Sequence, residues 1–443
     1  MAALGELRFG ATDHFQHGLQ TMAKHEKIAG IRGMNDMFPE ECLYWAQLEE
    51  TARRLFASYA YGEIRTPIVE PAKLFKRGVG EGSEVVMKEM YEFTDRSGNE
   101  LCLRPEGTAS VVRAYVNAAV HATESISRYF YFGPMFRYER PQAGRKRQFY
   151  QLGVELLGAQ SPYADAEVMA MTWNYFQALG VKKIQLEINS LGSPASQSAF
   201  NKALRDYLQK RVNELPEFRR DRVETNPLRL FDAKEEETKK IMKDAPSILD
   251  SLDAESKMYF EKVQKTLKRL NIPFTVNEKM VRGLDYYTQT IFEFTTTELG
   301  AQNAVAAGGR YDGLVEELGG PQVPGVGMAI GMDRVAILLS QQDQKQVAAP
   351  NSVYAALLSD ESIDAVFPVL EKLRADGIRV EWGFEAKSLK SQMRSADKSG
   401  SQSVIIVGED ELKSGKAIVR NLRTKEQNEV RFEDLLRHFV KVD

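Results

Sequence analysis

Residues 129–157 read YFYFGPMFRYERPQAGRKRQFYQLGVELL, and this stretch decides the architecture of the larger part of the chain. Apolar and aromatic residues dominate both of its ends, which predicts two strands, Tyr129–Arg137 and Gln148–Leu157. The join between them is longer than a tight hairpin turn and contains the basic run Arg145–Arg147. Since loops mounted on rigid strands often carry function, we expect a binding or catalytic loop here.

Charged and amide side chains alternate along this pair of strands. Residues two apart on a strand point to the same face, so Arg137 is expected to share a face with Glu139, and Gln151 with Glu155. Such groups are costly on an inward face unless they meet a ligand or each other. A polar face at a solvent-exposed edge is the alternative explanation, but it does not account for Arg145 on the glycine-containing loop.

Three further regions combine polar side chains with glycine. Residues 104–108 (RPEGT) bring together a carboxylate, a hydroxyl and a helix N-terminus, which suits an ammonium group, although alone they favour a simple turn with a helix cap. Residues 281–287 (VRGLDYY) suit either a hydroxyl donor beside a flat pocket wall or aromatic core packing. Residues 308–314 (GGRYDGL) and 325–334 (GVGMAIGMDR) are glycine-rich, and the second ends in an arginine that can bind phosphate. Neither is a Walker P-loop or a Rossmann fingerprint.

The composition bounds the class of protein. A chain of 443 residues is too long for one ordinary core, so we expect two or three domains. The net charge of −3 does not announce a nucleic-acid-binding protein, although an acidic body can carry a local basic face. Cys42 and Cys102 form neither a zinc pattern nor a disulfide framework, which favours a reducing compartment. With no secretory signal and no long apolar run, we expect a cytoplasmic protein without a membrane span.

Three segments follow from changes in composition. Residues 1–27 show no periodicity and contain a group of histidines whose spacing fits no metal-ligand pattern, so we expect a mobile extension. Residues 28–345 mix strands and helices, and a lysine- and glutamate-rich stretch at about 195–272 predicts a helical insertion. After a polar linker, residues 350–443 alternate strand and helix, which predicts an α/β domain with mainly parallel strands.

These regions, in this order, resemble the class II aminoacyl-tRNA synthetases. We expect Ile64–Val69 to form a strand at an edge or interface, because Pro67 cannot donate to a ladder. The stretch Ile64–Pro71 is similar to motif 1 of that family. Phe136–Glu139, with its loop to Glu155, is similar to motif 2. Gly325–Arg334 is similar to motif 3.

Two other stretches resemble motifs peculiar to histidyl-tRNA synthetases of the bacterial type. They are Arg282–Tyr287 and Gly308–Gly313, and the whole match spans about residues 28 to 440. The resemblance implies an α+β catalytic domain with a mainly antiparallel sheet, a helical insertion that approaches the acceptor arm of tRNA, and a C-terminal α/β anticodon-binding domain. It also implies a homodimer.

The resemblance further implies ATP-dependent ligation of L-histidine to tRNA(His) through a histidyl-adenylate, with release of AMP and pyrophosphate. ATP would be a substrate accompanied by Mg²⁺, and no tightly bound metal site is expected in the protein. The matching positions imply that Arg137 holds the α-phosphate, that Glu139 lies on the adenine side, and that Arg145 and Arg334 hold the β/γ-phosphate end. Arg282 would lie between the histidine carboxylate and the α-phosphate, which makes Arg137 and Arg282 the implied catalytic residues.

The remaining matched positions belong to the histidine side of the site: Glu106, Gly107, Thr108, Gln151, Glu155, Tyr286 and Tyr287. The resemblance assigns the α-amino group to Glu106, Thr108 and Gln151. It assigns the two imidazole nitrogens to Glu155 and a tyrosine, with Tyr287 preferred.

Three alternatives stand beside this interpretation. Synthetase-like regulatory subunits of histidine biosynthesis share the catalytic fold, but they generally lack the C-terminal domain and the phosphate-binding arginines. A class II synthetase for glycine, proline or threonine would not be expected to carry the two tyrosines after Arg282-Gly283. A nucleotide-binding scaffold of another kind would require the arginine-bearing motifs to occur in this order by chance.

Overall fold

The structure is a computed structural model that describes residues 28–80, 83–142, 144–231, 233, 235–284, 286–300, 303–342 and 352–440. The mobile extension expected at residues 1–27 lies outside the described residues. The chain divides into two compact units, Met1–Ser340 and Gln341–Asp443, which we call unit 1 and unit 2. No helix in the described part of the chain is long and apolar enough to cross a membrane.

Unit 1 begins with a long helix and a group of short strands. These elements are α1 (Pro39–Ser58), β1 (Gly62–Glu63), β2 (Val69–Pro71), α2 (Ala72–Val79), β3 (Tyr91–Thr94), β4 (Glu100–Leu103) and α3 (Thr108–Asn117). The strand expected over Ile64–Val69 is replaced by β1 and β2, with an irregular segment between them that includes Pro67. The Arg104 guanidinium donates to the Thr66 carbonyl oxygen at 3.0 Å and fixes this segment.

The rest of unit 1 contains the long strands and the helices that cover them. They are β5 (Ser127–Phe136), β6 (Gln148–Leu157), α4 (Pro162–Ala178), β7 (Ile184–Ser190), α5 (Pro194–Gln209), α6 (Arg222–Thr225), α7 (Glu236–Lys243), α8 (Ala254–Arg269), β8 (Phe274–Val276), β9 (Thr288–Thr296), β10 (Ala304–Arg310), α9 (Leu314–Glu317), β11 (Gly325–Gly331) and α10 (Met332–Gln341).

An eight-stranded sheet organises unit 1, in the order β1-β5-β6-β11-β10-β9-β7-β8. The pairings from β5 to β7 are antiparallel, and the parallel pairs β1–β5 and β7–β8 lie at its two ends. The expectation of a mainly antiparallel catalytic sheet is therefore confirmed. A separate three-stranded sheet has the order β2-β4-β3.

The main core of unit 1 lies between the large sheet and the helices on one of its faces. Buried aromatic side chains from three elements meet there: Phe56 of α1, Phe176 of α4, and Phe292 and Phe294 of β9. The ring centroids of Phe176 and Phe294 are 5.5 Å apart in a tilted arrangement, a separation within the favourable range for aromatic pairs. Burial of this face leaves the opposite face of the strands available for polar groups.

The helical insertion has a small core of its own. Its buried apolar residues run from Phe200 to Ile248 and are separate from the main core. We expected the insertion to extend to about residue 272, but α8 differs from the preceding helices because Phe260, Val263 and Leu267 pack into the main core. Composition could not reveal this boundary, since α8 has the same charged surface as the insertion helices.

Unit 2 consists of one sheet with helices. Its elements are β12 (Ser352–Leu357), α11 (Asp360–Ala375), β13 (Arg379–Trp382), α12 (Leu389–Ser399), β14 (Ser403–Val407), α13 (Glu409–Ser414), β15 (Lys416–Asn421), β16 (Gln427–Arg431) and α14 (Leu435–Phe439). The sheet order is β13-β12-β14-β15-β16. β12 pairs in parallel with β13 and β14, as expected for an α/β domain, whereas β15 and β16 add an antiparallel edge that the sequence analysis did not anticipate.

Candidate active site

An open cleft with a cavity volume of about 230 Å³ lies over the strands β6, β10 and β11. Most of the site residues predicted from the sequence line it: Glu106, Thr108, Arg137, Glu139, Arg145, Gln151, Arg282, Tyr286, Tyr287 and Arg334. Gly107 and Glu155 do not line it. Residues from distant parts of the chain meet in this cleft because β11 pairs with β6, which sets Gln151 opposite Gly331 and Glu155 opposite Gly327.

Two of the four arginines in the cleft belong to the segment after β5. This strand ends at Phe136, so Arg137 and Glu139 lie beyond it and not on a shared strand face, as we had expected. The Arg137 Nε donates to the Pro105 carbonyl oxygen at 3.0 Å, and its guanidinium lies 5.3 Å from the centroid of the Phe149 ring. Arg145 forms an ion pair with Glu139, with 3.1 Å between Nε and Oε2.

The other two arginines come from later parts of the chain: Arg282 precedes β9, and Arg334 lies in the first turn of α10. Arg282 forms an ion pair with Glu293 of β9. Burial acts to lower the pKa of Arg282, but Glu293 together with Tyr287 and Tyr286 outweighs it, and the pKa is raised above its ordinary value. Arg334 donates from Nε to the Gly144 carbonyl oxygen at 3.1 Å, and also to the Ala304 carbonyl oxygen. Burial, together with the neighbouring Arg145, lowers the pKa of Arg334.

These contacts give the cleft a concentration of fixed positive charge. Guanidinium groups stay protonated in proteins even when their pKa is lowered, so all four remain cationic at neutral pH. Each of them is held by a carbonyl or carboxylate oxygen, which limits its movement before a ligand arrives. Such preorganised donors suit a ligand that carries several negative charges, such as a polyphosphate.

The carboxylates that line the cleft already have partners. Glu106 accepts hydrogen bonds from the backbone amides of Thr108 and Ala109, at 2.7 and 2.8 Å, where α3 begins. Asp333 pairs with Lys146 at 2.8 Å. Burial raises the pKa of Glu106, and the two amide donors partly offset this effect. In the described residues no group of three or more His, Cys, Asp or Glu side chains is arranged to hold a metal ion.

Glu155 lies fully buried beneath the cleft. Its carboxyl group accepts hydrogen bonds from the hydroxyl groups of Thr108, at 2.7 Å, Tyr131, at 3.3 Å, and Tyr311. Burial raises the pKa of Glu155 to about 8, although these donors act in the opposite direction. At neutral pH the group therefore holds a proton much more often than an exposed glutamate does.

Glycines make room for this buried layer. A Cβ atom on Gly327 would lie 2.0 Å from Oε2 of Glu155, and one on Gly153 would lie 2.0 Å from Cζ of Tyr131. A Cβ atom on Gly107 would lie 2.2 Å from Cε2 of Tyr131. Gly107, which we had expected on the histidine side of the site, thus accommodates a tyrosine ring and does not face the cleft.

A group of tyrosines closes one wall. The ring centroids of Tyr286 and Tyr287 are 4.7 Å apart, and those of Tyr286 and Tyr311 are 5.7 Å apart. Burial raises the pKa of Tyr287, so its hydroxyl group is neutral at physiological pH and can donate a hydrogen bond.

Glu293, Tyr131 and Tyr311 are not among the site residues predicted from the sequence. Glu293 could have been found, since it is the one charged residue of the strand Thr288–Thr296 and such a charge needs a partner. Tyr311 lies within the glycine-rich stretch that we had noted, but no local pattern distinguishes it from a core tyrosine. Tyr131 meets Glu155 only through the register between β5 and β6.

Comparisons with known proteins give a consistent result. The family model described as histidyl-tRNA synthetase matches residues 33–335, and the one described as anticodon binding domain matches residues 349–441. The histidine–tRNA ligase of Syntrophotalea carbinolica is 45% identical over 408 residues, which are 92% of this chain and 97% of that protein. The histidine–tRNA ligase of Geobacter metallireducens is 46% identical over 403 residues, 91% of this chain and 97% of that protein.

A solved structure is similar over nearly the same length. The crystal structure of apo histidyl-tRNA synthetase from S. aureus is 34% identical, with a TM-score of 0.78. The match covers 93% of this chain and 100% of that chain.

We predict that the substitution Glu155→Gln removes a pH-dependent part of the stability of unit 1. Because the pKa rises from its ordinary 4.5 to about 8 on folding, this contribution is fully present below about pH 4.5 and is lost as the pH rises through the folded value. The slope of the unfolding free energy against pH that Glu155 adds cannot exceed about 1.4 kcal/mol per pH unit, which is the value for one proton. Unfolding free energies measured in denaturant at stepped pH should therefore decline more steeply with pH in the wild type than in the variant.

The matched control is Glu167→Gln, which removes a carboxyl group from a side chain that is 38% exposed on α4. This control should keep the wild-type pH slope. Parallel slopes for the wild type and Glu155→Gln would contradict the prediction.

Proposed function

We propose roles for the cleft residues from the premise that the chain belongs to the histidyl-tRNA synthetase family. It catalyses the ATP-dependent ligation of histidine to tRNA, in two steps. Histidine and ATP first form histidyl-adenylate and pyrophosphate, and the histidyl group is then transferred to tRNA with release of AMP. The observation that supports the proposed roles most strongly is the set of four preorganised arginines around one cleft.

The first step requires two anions to meet. A carboxylate oxygen of histidine attacks the α-phosphorus of ATP, and the bond to pyrophosphate breaks. We assign the α-phosphate to Arg137 and Arg282, and the β/γ-phosphate end to Arg145 and Arg334. Fixed positive charge lowers the repulsion between the reactants and stabilises the charge that develops on the phosphate oxygens. No general base is needed, since the nucleophile is already ionised.

Glu139 is assigned to the adenine side of the nucleotide. Its ion pair with Arg145 ties the adenine side to the phosphate side of the cleft. Mg²⁺ is assigned to the phosphates of ATP and not to the protein. The supporting observation is that Glu106, Glu293 and Asp333 already accept hydrogen bonds or form ion pairs.

On the histidine side we assign the α-ammonium group to Glu106, Thr108 and Gln151. Tyr287, with Tyr286 packed against it, is assigned to one imidazole nitrogen. Glu155 is assigned to the other imidazole nitrogen. Because Glu155 is buried, it acts through the hydroxyl groups of Thr108 and Tyr311, which line the cleft and donate hydrogen bonds to the Glu155 carboxyl group.

This arrangement also explains selectivity. An analogue without the imidazole nitrogens would leave these buried polar groups unpaired, and sites of this kind reject such analogues by about 10⁴–10⁵. In the second step a ribose hydroxyl of tRNA attacks the carbonyl carbon of the adenylate. Its proton passes to the departing phosphate, so the protein needs no separate base.

The macromolecular contacts are likewise proposals. We assign the acceptor arm of tRNA to the insertion helices that share the separate core from Phe200 to Ile248, and the anticodon to the C-terminal domain at about 350–443. We also propose a homodimer and a cytoplasmic location. Exposed apolar side chains on the small sheet β2-β4-β3 and just before it support the dimer: Ile68, Val69 and Phe93 are each more than 40% exposed.

The alternative of a synthetase-like regulatory subunit is disfavoured by specific residues. Such subunits generally lack a C-terminal domain and the phosphate-binding arginines, whereas this chain has a compact unit 2 and keeps all four arginines in the cleft.

We predict that Arg282→Ala lowers the rate of histidine-dependent ATP–pyrophosphate exchange by about 10²–10³ while the dissociation constant of ATP changes little. The reason is that an interaction made mainly in the transition state affects the chemical step more than binding. Exchange kinetics and calorimetric titration with ATP measure the two effects. Arg128→Ala, at a partly exposed arginine of β5, is the control and should leave both unchanged. A variant with normal exchange would remove Arg282 from the mechanism.

We also predict that a chain without residues 350–443 retains pyrophosphate exchange but loses most of its tRNA charging. Unit 1 has its own core and contains every residue assigned to adenylate formation, so the first step should survive. Exchange and charging assays on the truncated protein, after its fold has been checked by circular dichroism, measure the difference. Equal loss of both activities in a folded truncation would argue against the assignment of unit 2 to tRNA.

A further inference from the structure

Residues 282, 284 and 287 of the segment 281–287 separate two cavities. Arg282, Leu284 and Tyr287 line the catalytic cleft, and the same three residues also line a second cavity of about 290 Å³. The opposite wall of this second cavity belongs to the insertion, with Gln197 and Arg229 among its residues. The side chains of Leu284, Tyr286 and Tyr287 pack in a small apolar cluster with Met280 and Ile291. With a cavity on each side, hydrogen bonds from outside the segment also contribute to fixing its backbone.

Two of these hydrogen bonds come from the insertion. A guanidinium nitrogen of Arg229 donates to the carbonyl oxygen of Gly283 at 2.7 Å. The Gln197 side-chain amide donates to the carbonyl oxygen of Tyr287 at 3.4 Å. The first is charge-assisted and short, and it acts on the residue that directly follows Arg282.

The start of the segment has a different anchor. Asn189 of β7, which is fully buried, donates to the carbonyl oxygen of Met280 at 3.1 Å. This bond fixes the point where the segment leaves the main body of unit 1. Of these three hydrogen bonds to the backbone, at Met280, Gly283 and Tyr287, the one from Arg229 to Gly283 is therefore nearest in sequence to Arg282.

We propose that Arg229, assisted by Gln197, is a positioning residue for amino-acid activation. The hydrogen bonds hold the backbone at Gly283 and at Tyr287, so that the side chains of Arg282 and Tyr287 face the cleft. This inference rests on the roles proposed above for those two residues. The insertion then contributes to the first step of the reaction, before tRNA is bound.

A role in contacting tRNA is the competing explanation for an arginine on the insertion. The two explanations differ in an assay without tRNA, since a residue that only binds tRNA cannot affect pyrophosphate exchange. The test uses the full chain with Arg229→Gln. Its matched control is Arg205→Gln, since Arg205 lines the same cavity but its contacts are to Glu224, within the insertion.

The turnover rate for exchange should fall by roughly tenfold in Arg229→Gln, the loss expected when a catalytic group is held less firmly. The KM for histidine should rise because Tyr287 lies on the same segment, whereas the KM for ATP should remain within about twofold, as for a change that spares uniform nucleotide binding. Arg229→Lys, which keeps a cationic donor, should recover part of the rate. The control Arg205→Gln should behave as the wild type.

A second measurement does not depend on activity. Hydrogen–deuterium exchange of peptides that cover residues 279–290 should be faster in Arg229→Gln than in the wild type and unchanged in Arg205→Gln. Gln197→Leu should increase it to a smaller extent, which provides a further variant if Arg229→Gln fails to fold.

Unchanged pyrophosphate exchange and unchanged deuterium uptake in Arg229→Gln would overturn the inference, as would equal losses in the Arg205→Gln control. A wild-type protein without histidine-dependent exchange would instead contradict the proposed function, and the deuterium uptake would still decide whether Arg229 positions the segment.

Discussion

Repulsion of the Arg334 guanidinium by those of Arg145 and Arg137 is the constraint on which the rest of the site depends. Like charges at short range are unfavourable unless nearby acceptors offset them. Here the acceptors come from well-separated parts of the chain: the Pro105 carbonyl, the Glu139 and Glu293 carboxylates, and the Gly144 and Ala304 carbonyls. The fold brings these oxygens around one opening, and the antiparallel pairing of β6, β11, β10 and β9 makes this possible. The sheet is in this sense the support for a positively charged site.

The layer beneath the cleft solves the opposite problem. A carboxyl group buried on an interior strand of the sheet is expensive as an anion, and burial accordingly raises the pKa of Glu155 to about 8. Three hydroxyl donors satisfy its oxygens, and three glycines leave the space that the carboxyl group and the Tyr131 ring occupy. A cleft that must distinguish one small polar side chain benefits from this buried layer, since the polar groups of the layer are held in fixed directions and cannot reorient to hydrogen-bond with water.

Sequence patterns could predict most of the elements that form the site, but not the side-chain contacts in the buried layer beneath the cleft. The strand Gln148–Leu157 and the helix that starts at Thr108 have local signals, and the structure has both elements. The expected side-chain cap is wrong, since the N-cap residue is Gly107 and Thr108 is the first residue of the helix. The alternation of polar and apolar residues could not show that Arg137 and Glu139 lie beyond the end of β5, because the pattern does not mark the last residue that hydrogen-bonds to the neighbouring strand. The contacts of Gly107 and Tyr131 depend on strand register, which is a property of the folded sheet. The same holds for α8, whose sequence resembles the insertion although its apolar face packs on α4.

The most direct test of the account is ATP–pyrophosphate exchange by the purified full chain, without tRNA, with each of the twenty amino acids offered separately. The account predicts exchange with histidine and background rates with the other nineteen, because the cleft supplies charge for adenylate formation and a polar floor that suits imidazole. Exchange driven by a different amino acid would contradict the assignments of Glu155 and Tyr287. A folded protein that binds histidine but exchanges with none would contradict the central claim that the four arginines serve catalysis.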